Sequence, residues 1–466
     1  MATSFTLKLS FFLLCCCCII VGIKSQADIN LQSNIPIVEN LETPTRIIGS
    51  ENVKLSGKIM RNLITNSIMD HFQNVMFSPI SLGYSLSVIL EACEKDDPKR
   101  GELTTLLSKF NLGELKNSMQ SIVEFSHETD MLNDEKARLI LTPALFASEE
   151  FLAKTGFKKD NLYMKNLLIQ SCNFTTDEAA NESRKMMNRI ISEKNNETTT
   201  AFIGTGFITN ATQAIYADTG LFVGKWEKPF DLNDTSIELF RVISSADEDV
   251  VEYIEIEMMN QHNSSFEHGE QKNFQWIKLK YKDAPYSMLF IVPKDALSLY
   301  GDSEERFNRF VNRQLDSGCI SCSFPTKEKF FKKISIPKFR VESKSKISGL
   351  LRAKTFSAPS LFPKVEPKKK KVNSTQTNET APVEVPPTQT ETTVPEFWRL
   401  NEFFHKTVIE FSELGTVEGE ITPENAKLVE EREQDDSNFV LDRPFAFILH
   451  HEPTNSAVLV GKIAVL

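Results

Sequence analysis

Apolar residues recur at helical spacing through residues 52–110, with one interruption at 74–81, where Val75, Met76 and Phe77 form a short apolar run that meets Pro79. Helical patterning resumes over 114–128 and 178–194. From 201 to 300 the pattern changes to short apolar runs that read as strands, clearest at 276–281 and 286–293. Two more strand-like runs, at 405–411 and 439–449, are held apart by a long acidic stretch, and a third follows at 457–463. No fixed-period repeat is visible. Early helices followed by many strands predict an α+β architecture.

Two segments break this texture. Residues 9–23 form an apolar run behind Lys8, followed by Ser25, Gln26 and Ala27, which is the pattern of a signal peptide with its cleavage site. Residues 1–26 are therefore expected to be removed and the protein secreted; the competing reading is a retained anchor acylated at Cys15–Cys18. Residues 27–51 read as a flexible lead-in. Residues 363–395 are dominated by Pro, Thr, Glu, Val, Asn and Gln and contain Lys368, Lys369, Lys370 and Lys371. Such a composition buries too little apolar surface to offset ordering entropy, so a disordered insertion is expected. Its lysines read as a solvated basic patch, with polyanion binding as the sharper alternative.

Composition narrows the function. With 41% apolar and 25% charged residues the chain is ordinary for a globular protein, and a formal charge of −10 argues against a nucleic-acid partner. Outside the N-terminal run only Cys93, Cys172, Cys319 and Cys322 remain, too few for a disulfide scaffold. Cys319 and Cys322 read as a local disulfide or two plain thiols. No metal or cofactor is expected, because nothing completes a zinc site and no phosphate loop is present. No Gly-x-Ser-x-Gly elbow occurs either, so the protein is not expected to be an enzyme. Sequons beginning at Asn173, Asn181, Asn196, Asn210, Asn233, Asn263, Asn373 and Asn378 suggest a glycoprotein.

Several ordered motifs carry a family likeness. The run 74–81, the segment Gly224, Lys225, Trp226, Glu227, Lys228, Pro229, Phe230, the pair Met258 and Met259, then Ile336, Pro337, Lys338 and Phe339, His405 and Lys406, and Asp442, Arg443, Pro444 and Phe445 follow in the order found in serpins. The chain resembles that family over residues 52–466. The resemblance implies helices packed on a large central mixed sheet, further sheets, and a reactive-centre loop, here 413–438. It implies that Trp226 lies at the top of the central sheet where the loop enters. It also implies that Ser78, Ser81 and His405 form a shutter, with Asp218 where the family usually has Asn. An ionised Asp accepts but does not donate, so a protonated His405 and a pH-sensitive shutter are expected.

Family inhibitors resemble a sprung trap, in which a target protease cleaves the loop and the freed segment enters the central sheet as a strand. This implies a monomer with a serine or cysteine protease as partner. Glu413, Gly415 and Thr416 match the family's hinge. If Thr416 points inward, strand alternation sends Glu418 and Glu420 inward too, and Pro423 lacks a ladder N–H. The family's spacing puts the scissile bond at Val429 and Glu430, with Leu428 and Arg432 as neighbours in play. Eight carboxylates against Lys427 and Arg432 make the loop a poor trypsin substrate. The alternative is a non-inhibitory protein of the same fold acting as a binding or regulatory module.

Overall fold

The computed structural model describes residues 44–66, 74–107, 122, 137–158, 164, 166–194, 202–243, 251–294, 303–353, 357–363, 397–416, 428–429 and 437–466. In chain order the elements begin with α1 (Pro44–Asn66), β1 (Val75–Phe77), α2 (Pro79–Ala92), α3 (Pro98–Leu106), β2 (Arg138–Ala147), α4 (Glu149–Lys154), β3 (Leu168–Ser171) and α5 (Asp177–Lys194). Strands then dominate: β4 (Ala214–Lys225), β5 (Ser236–Ile243), β6 (Val251–Glu270), β7 (Phe274–Lys280) and β8 (Tyr286–Pro293). After α6 (Ser303–Asp316) and α7 (Ile320–Ser323) come β9 (Lys327–Pro337), β10 (Phe339–Lys346) and α8 (Ile347–Arg352). The last strands are β11 (Glu402–Phe411), β12 (Gly415–Thr416), β13 (Leu428–Val429), β14 (Asn438–Val440), β15 (Phe445–His451) and β16 (Ser456–Ile463).

Helices prevail before residue 200 and strands after it, as the sequence pattern predicts, but β1, β2 and β3 lie among the early helices and α6, α7 and α8 among the later strands. The break in the first helical stretch is β1, and α2 restarts at once because Ser78 caps it and Pro79 occupies its first turn. The lead-in expected to reach residue 51 is shorter: α1 starts at Pro44, where a missing N–H costs a helix nothing. Of the helical stretch expected over 114–128, only Ile122 lies within the described residues. The expected signal peptide and, of the expected insertion 363–395, all but Pro363 also fall outside them. No helix among the described residues is long and apolar enough to cross a membrane.

Two sheets organise the fold. The central sheet has the order β10, β11, β4, β2, β3, with β12 added at the end of β4. It is mixed, because β11 runs parallel to β4 and β2 parallel to β3, while the other pairs are antiparallel. The larger sheet has the order β1, β16, β15, β8, β7, β6, β5, β13, and the twenty-residue β6 also carries β9, which in turn pairs with β14. Strand alternation sorts β4 cleanly. Phe222 packs into the core between the sheets with Leu141, Ile409, Phe411, Phe290 and Phe447, whereas Ile215 and Ala217 face α5 through Met187 and Ile191.

Candidate functional site

The parallel pair β4 and β11 defines the site. They are joined from Glu402 with Ile215 up to Val408 with Leu221. Beyond that point β4 continues to Lys225, and its next partner is the chain that has just left β11. Gly415 pairs with Lys225 and Thr416 with Gly224, antiparallel to β4. The loop therefore starts with Gly415 and Thr416 already laddered at the upper end of the seam. Gly415 has φ +154°, and an added Cβ would overlap the Gly224 carbonyl, so glycine is required there. Thr416 is 2% exposed and turned inward, and its own partner across the strand, Gly224, is buried with it, at a place where a Cβ would press on Tyr281. Burial pushes the Tyr281 phenol well above its usual range, which keeps this corner uncharged.

A clamp holds the root of the loop. The Trp226 indole donates to the Ser412 carbonyl at 3.1 Å, its backbone N–H donates to the Leu414 carbonyl at 2.8 Å, and the Phe230 N–H donates to the Glu413 carbonyl at 2.9 Å. The indole stacks on Tyr281 with centroids 4.6 Å apart. Glu413, 3% exposed, accepts from the Thr235 hydroxyl at 2.8 Å and pairs with Lys338 at 3.2 Å, so its buried charge is matched.

Lower down the seam, the Ser78 N–H donates to His405 Nε2 at 3.0 Å, and His405 Nδ1 lies 3.1 Å from Asp218 Oδ2. The Ser81 hydroxyl donates to the other Asp218 oxygen, and the Ser78 hydroxyl donates to the Val458 carbonyl at 2.8 Å. All four side chains are buried. Nε2 accepts, so Nδ1 carries the hydrogen and donates to Asp218, and the ring is the neutral tautomer rather than the expected imidazolium. A second ring proton would face the Ser78 N–H. The geometry thus differs from the expectation because a backbone donor, invisible in the side-chain pattern, occupies the far nitrogen.

Of the proposed scissile residues, Leu428 and Val429 pair in parallel with Ile237 and Glu238 of β5, while Glu430 and Arg432, like Glu418, Glu420 and Pro423, lie outside the described residues. Asn173, Asn181, Asn210, Asn233 and Asn263 are exposed; Asn196, Asn373, Asn378 and the lysines 368–371 are not among the described residues. Cys319 and Cys322 are joined in a disulfide, with Cα atoms 5.3 Å apart. Sequence reasoning did not single out Thr235 or Tyr281, and it read Lys338 as a motif letter rather than as a counter-ion. Its place between Ile336, Pro337 and Phe339, where β9 gives way to β10, was the available signal.

Comparison with known proteins agrees with this geometry. The model of the Serpin (serine protease inhibitor) family matches residues 50–465. The chain is 20% identical to Serpin-Z2A of Triticum aestivum over 394 residues, covering 84% of this chain and 89% of that protein. Among solved structures it is similar to human thyroxine-binding globulin (TM-score 0.63, 16% identity, 91% of this chain and 99% of that one). Native protease nexin-1 with heparin is as close (TM-score 0.63, 17% identity, 91% and 100%). This chain belongs to the serpin family.

Proposed function

We propose that the protein is a secreted, glycosylated serpin that inhibits a serine or cysteine endopeptidase as a suicide substrate. The observation that carries this reading is the pairing of Gly415 and Thr416 with the top of β4. Cleavage in the loop would let the pairing extend down the seam as β4 and β11 part. About fourteen inserted residues span about 46 Å. The exposed sequon asparagines and the apolar N-terminal run support the secreted setting.

Continuing the observed register places Glu418 opposite Phe222, Glu420 opposite Gly220 and Thr422 opposite Asp218. Gly220 faces Ser78, Thr407 and Leu141, so an inserting Glu420 carboxylate would approach the shutter that holds Asp218. Burying either Glu at neutral pH requires its protonation, at about 3.7 kcal/mol each. About two dozen new ladder bonds at roughly 0.5–1.5 kcal/mol each exceed that, so the obstacle lies in the rate.

That obstacle favours a second reading, a non-inhibitory binding or regulatory serpin whose acidic loop or Lys368–Lys371 patch is the contact surface. A neighbour solved with heparin and another named for binding thyroxine support a binding role for this fold, and a polyanion is the ligand class for the lysines. Incubation with a broad panel of serine and cysteine proteases separates the two readings. A protease complex that survives SDS, and a melting temperature raised by loop cleavage, are expected for the inhibitor. Absence of both would eliminate the trap.

A further inference from the structure

We infer that the outer edge of β5 is a docking strip for the chain's own loop, and that it keeps Leu428 and Val429 out of a protease's reach until they are displaced. β5 is bonded to β6 on one side, from Ser236 with Met258 to Ile243 with Val251. On its other side Leu428 pairs with Ile237 and Val429 with Glu238, in parallel. The direction of the edge groups follows from Arg241, whose N–H donates to the Asp442 carbonyl at 2.7 Å and so points away from β6. Strand N–H groups alternate sides, so Ile237 and Leu239 present their backbone groups to the same outer edge.

Natural sheet edges are guarded against unwanted pairing by exposed charges, proline or a cover. β5 contains no proline, and its two charged residues are both withdrawn. Glu238 is fully buried, accepting from Ser236 at 2.9 Å and paired with Lys333 at 3.0 Å, and Arg241 is 4% exposed. An edge without an outward charge needs a cover, and the segment that supplies it contains the residues expected to be cleaved. Recognition by strand addition uses the same main-chain donors and acceptors that β5 engages. Docking to β5 and docking to a protease are therefore exclusive.

This inference rests on reading 428–430 as the bait, and its test separates the two ideas. Hydrogen exchange on the full-length protein is expected to show amides around Leu428 and Val429 protected at least about tenfold relative to an unstructured segment, at every protein concentration. Ile237→Pro removes an outward N–H without breaking a β5–β6 ladder bond. With its melting temperature checked, it is expected to be cleaved at Val429–Glu430 by an elastase-type serine protease about tenfold faster than wild type. Should that variant not fold, Ile237→Cys with Leu428→Cys offers a tether that slows cleavage when oxidised and releases it on reduction. Unprotected amides, protection that grows with concentration, or cleavage indifferent to both variants would overturn the proposal. A protected loop in a protein that traps no protease would instead count against the inhibitor reading and leave the docking intact.

Discussion

Replacing Glu418 and Glu420 together by alanine alters what a cleaved loop gains by entering the sheet. The register set by Thr416 and Gly224 brings these side chains opposite Phe222, which is fully buried, and Gly220, which faces Ser78, Thr407 and Leu141. Neither place offers water to a carboxylate. At pH 7 the two protonations cost about 7 kcal/mol. Unfolding entropy over the matched span 50–465 is roughly 0.9 kcal/mol per kelvin, so relief of that cost raises the melting temperature of the cleaved form by about 8 °C. The uncleaved form should be unchanged. The sign with pH follows from a carboxyl whose pKa is raised by insertion: protonation favours the inserted state, so at pH 4.5 the advantage of the alanines shrinks to about 1 °C. Calorimetry of cleaved and uncleaved wild type and variant, at both pH values, measures all of this. If cleavage stabilises both proteins equally at pH 7, the carboxylates do not enter the sheet and the register argument is wrong.

The remaining expectations concern the clamp, the shutter and acid stability. Glu413→Gln keeps an acceptor for Thr235 but takes from Lys338 the nearer of its two carboxylates, leaving Glu257 at 3.8 Å, and should lower stability by about 2 kcal/mol in urea titrations. Asp218→Asn can still accept from His405 while donating to Ser81, so a loss within about 1 kcal/mol is expected; Asp218→Ala strands both partners and should lose about 3 kcal/mol. Burial pushes His450 and His451 down to about 4. A histidine depressed in the folded state contributes full stability above its unfolded value near 6.5, and that contribution is lost as pH falls towards 4, at up to about 3 kcal/mol for each. Urea midpoints measured between pH 7 and 4 should fall, and the fall should be shallower in His451→Phe.

Much of the fold could be read from residue order alone. Ser78 before Pro79, the Trp226 segment and the Phe445 strand are local patterns, and local patterns survive in a one-dimensional record. Gly415 was legible for the same reason, since a residue that must let a strand approach its backbone has few substitutes. What escaped depends on contacts across the fold. Lys338 meets Glu413 from the link between β9 and β10, Thr235 reaches the same carboxylate from the turn before β5, and neither leaves a periodic trace. The state of His405 turned on one backbone N–H arriving from Ser78. The pairing of Leu428 and Val429 with β5 is main-chain chemistry, to which side-chain identity is nearly silent.

The arms that end at Pro363 and begin at Phe397 are fastened close to those points, where the Leu400 N–H donates to the Leu361 carbonyl at 2.9 Å and the Asn401 N–H to the Ala214 carbonyl at 2.8 Å. Such a closed neck fixes the two ends of the segment between them. Halving or doubling the intervening length changes the closure entropy by only about 0.6 kcal/mol. Residues 364–396 can therefore be shortened, relabelled or exchanged for another sequence while the seam between β4 and β11 keeps its geometry, which makes this neck the natural attachment point for a reporter or an alternative ligand-binding segment.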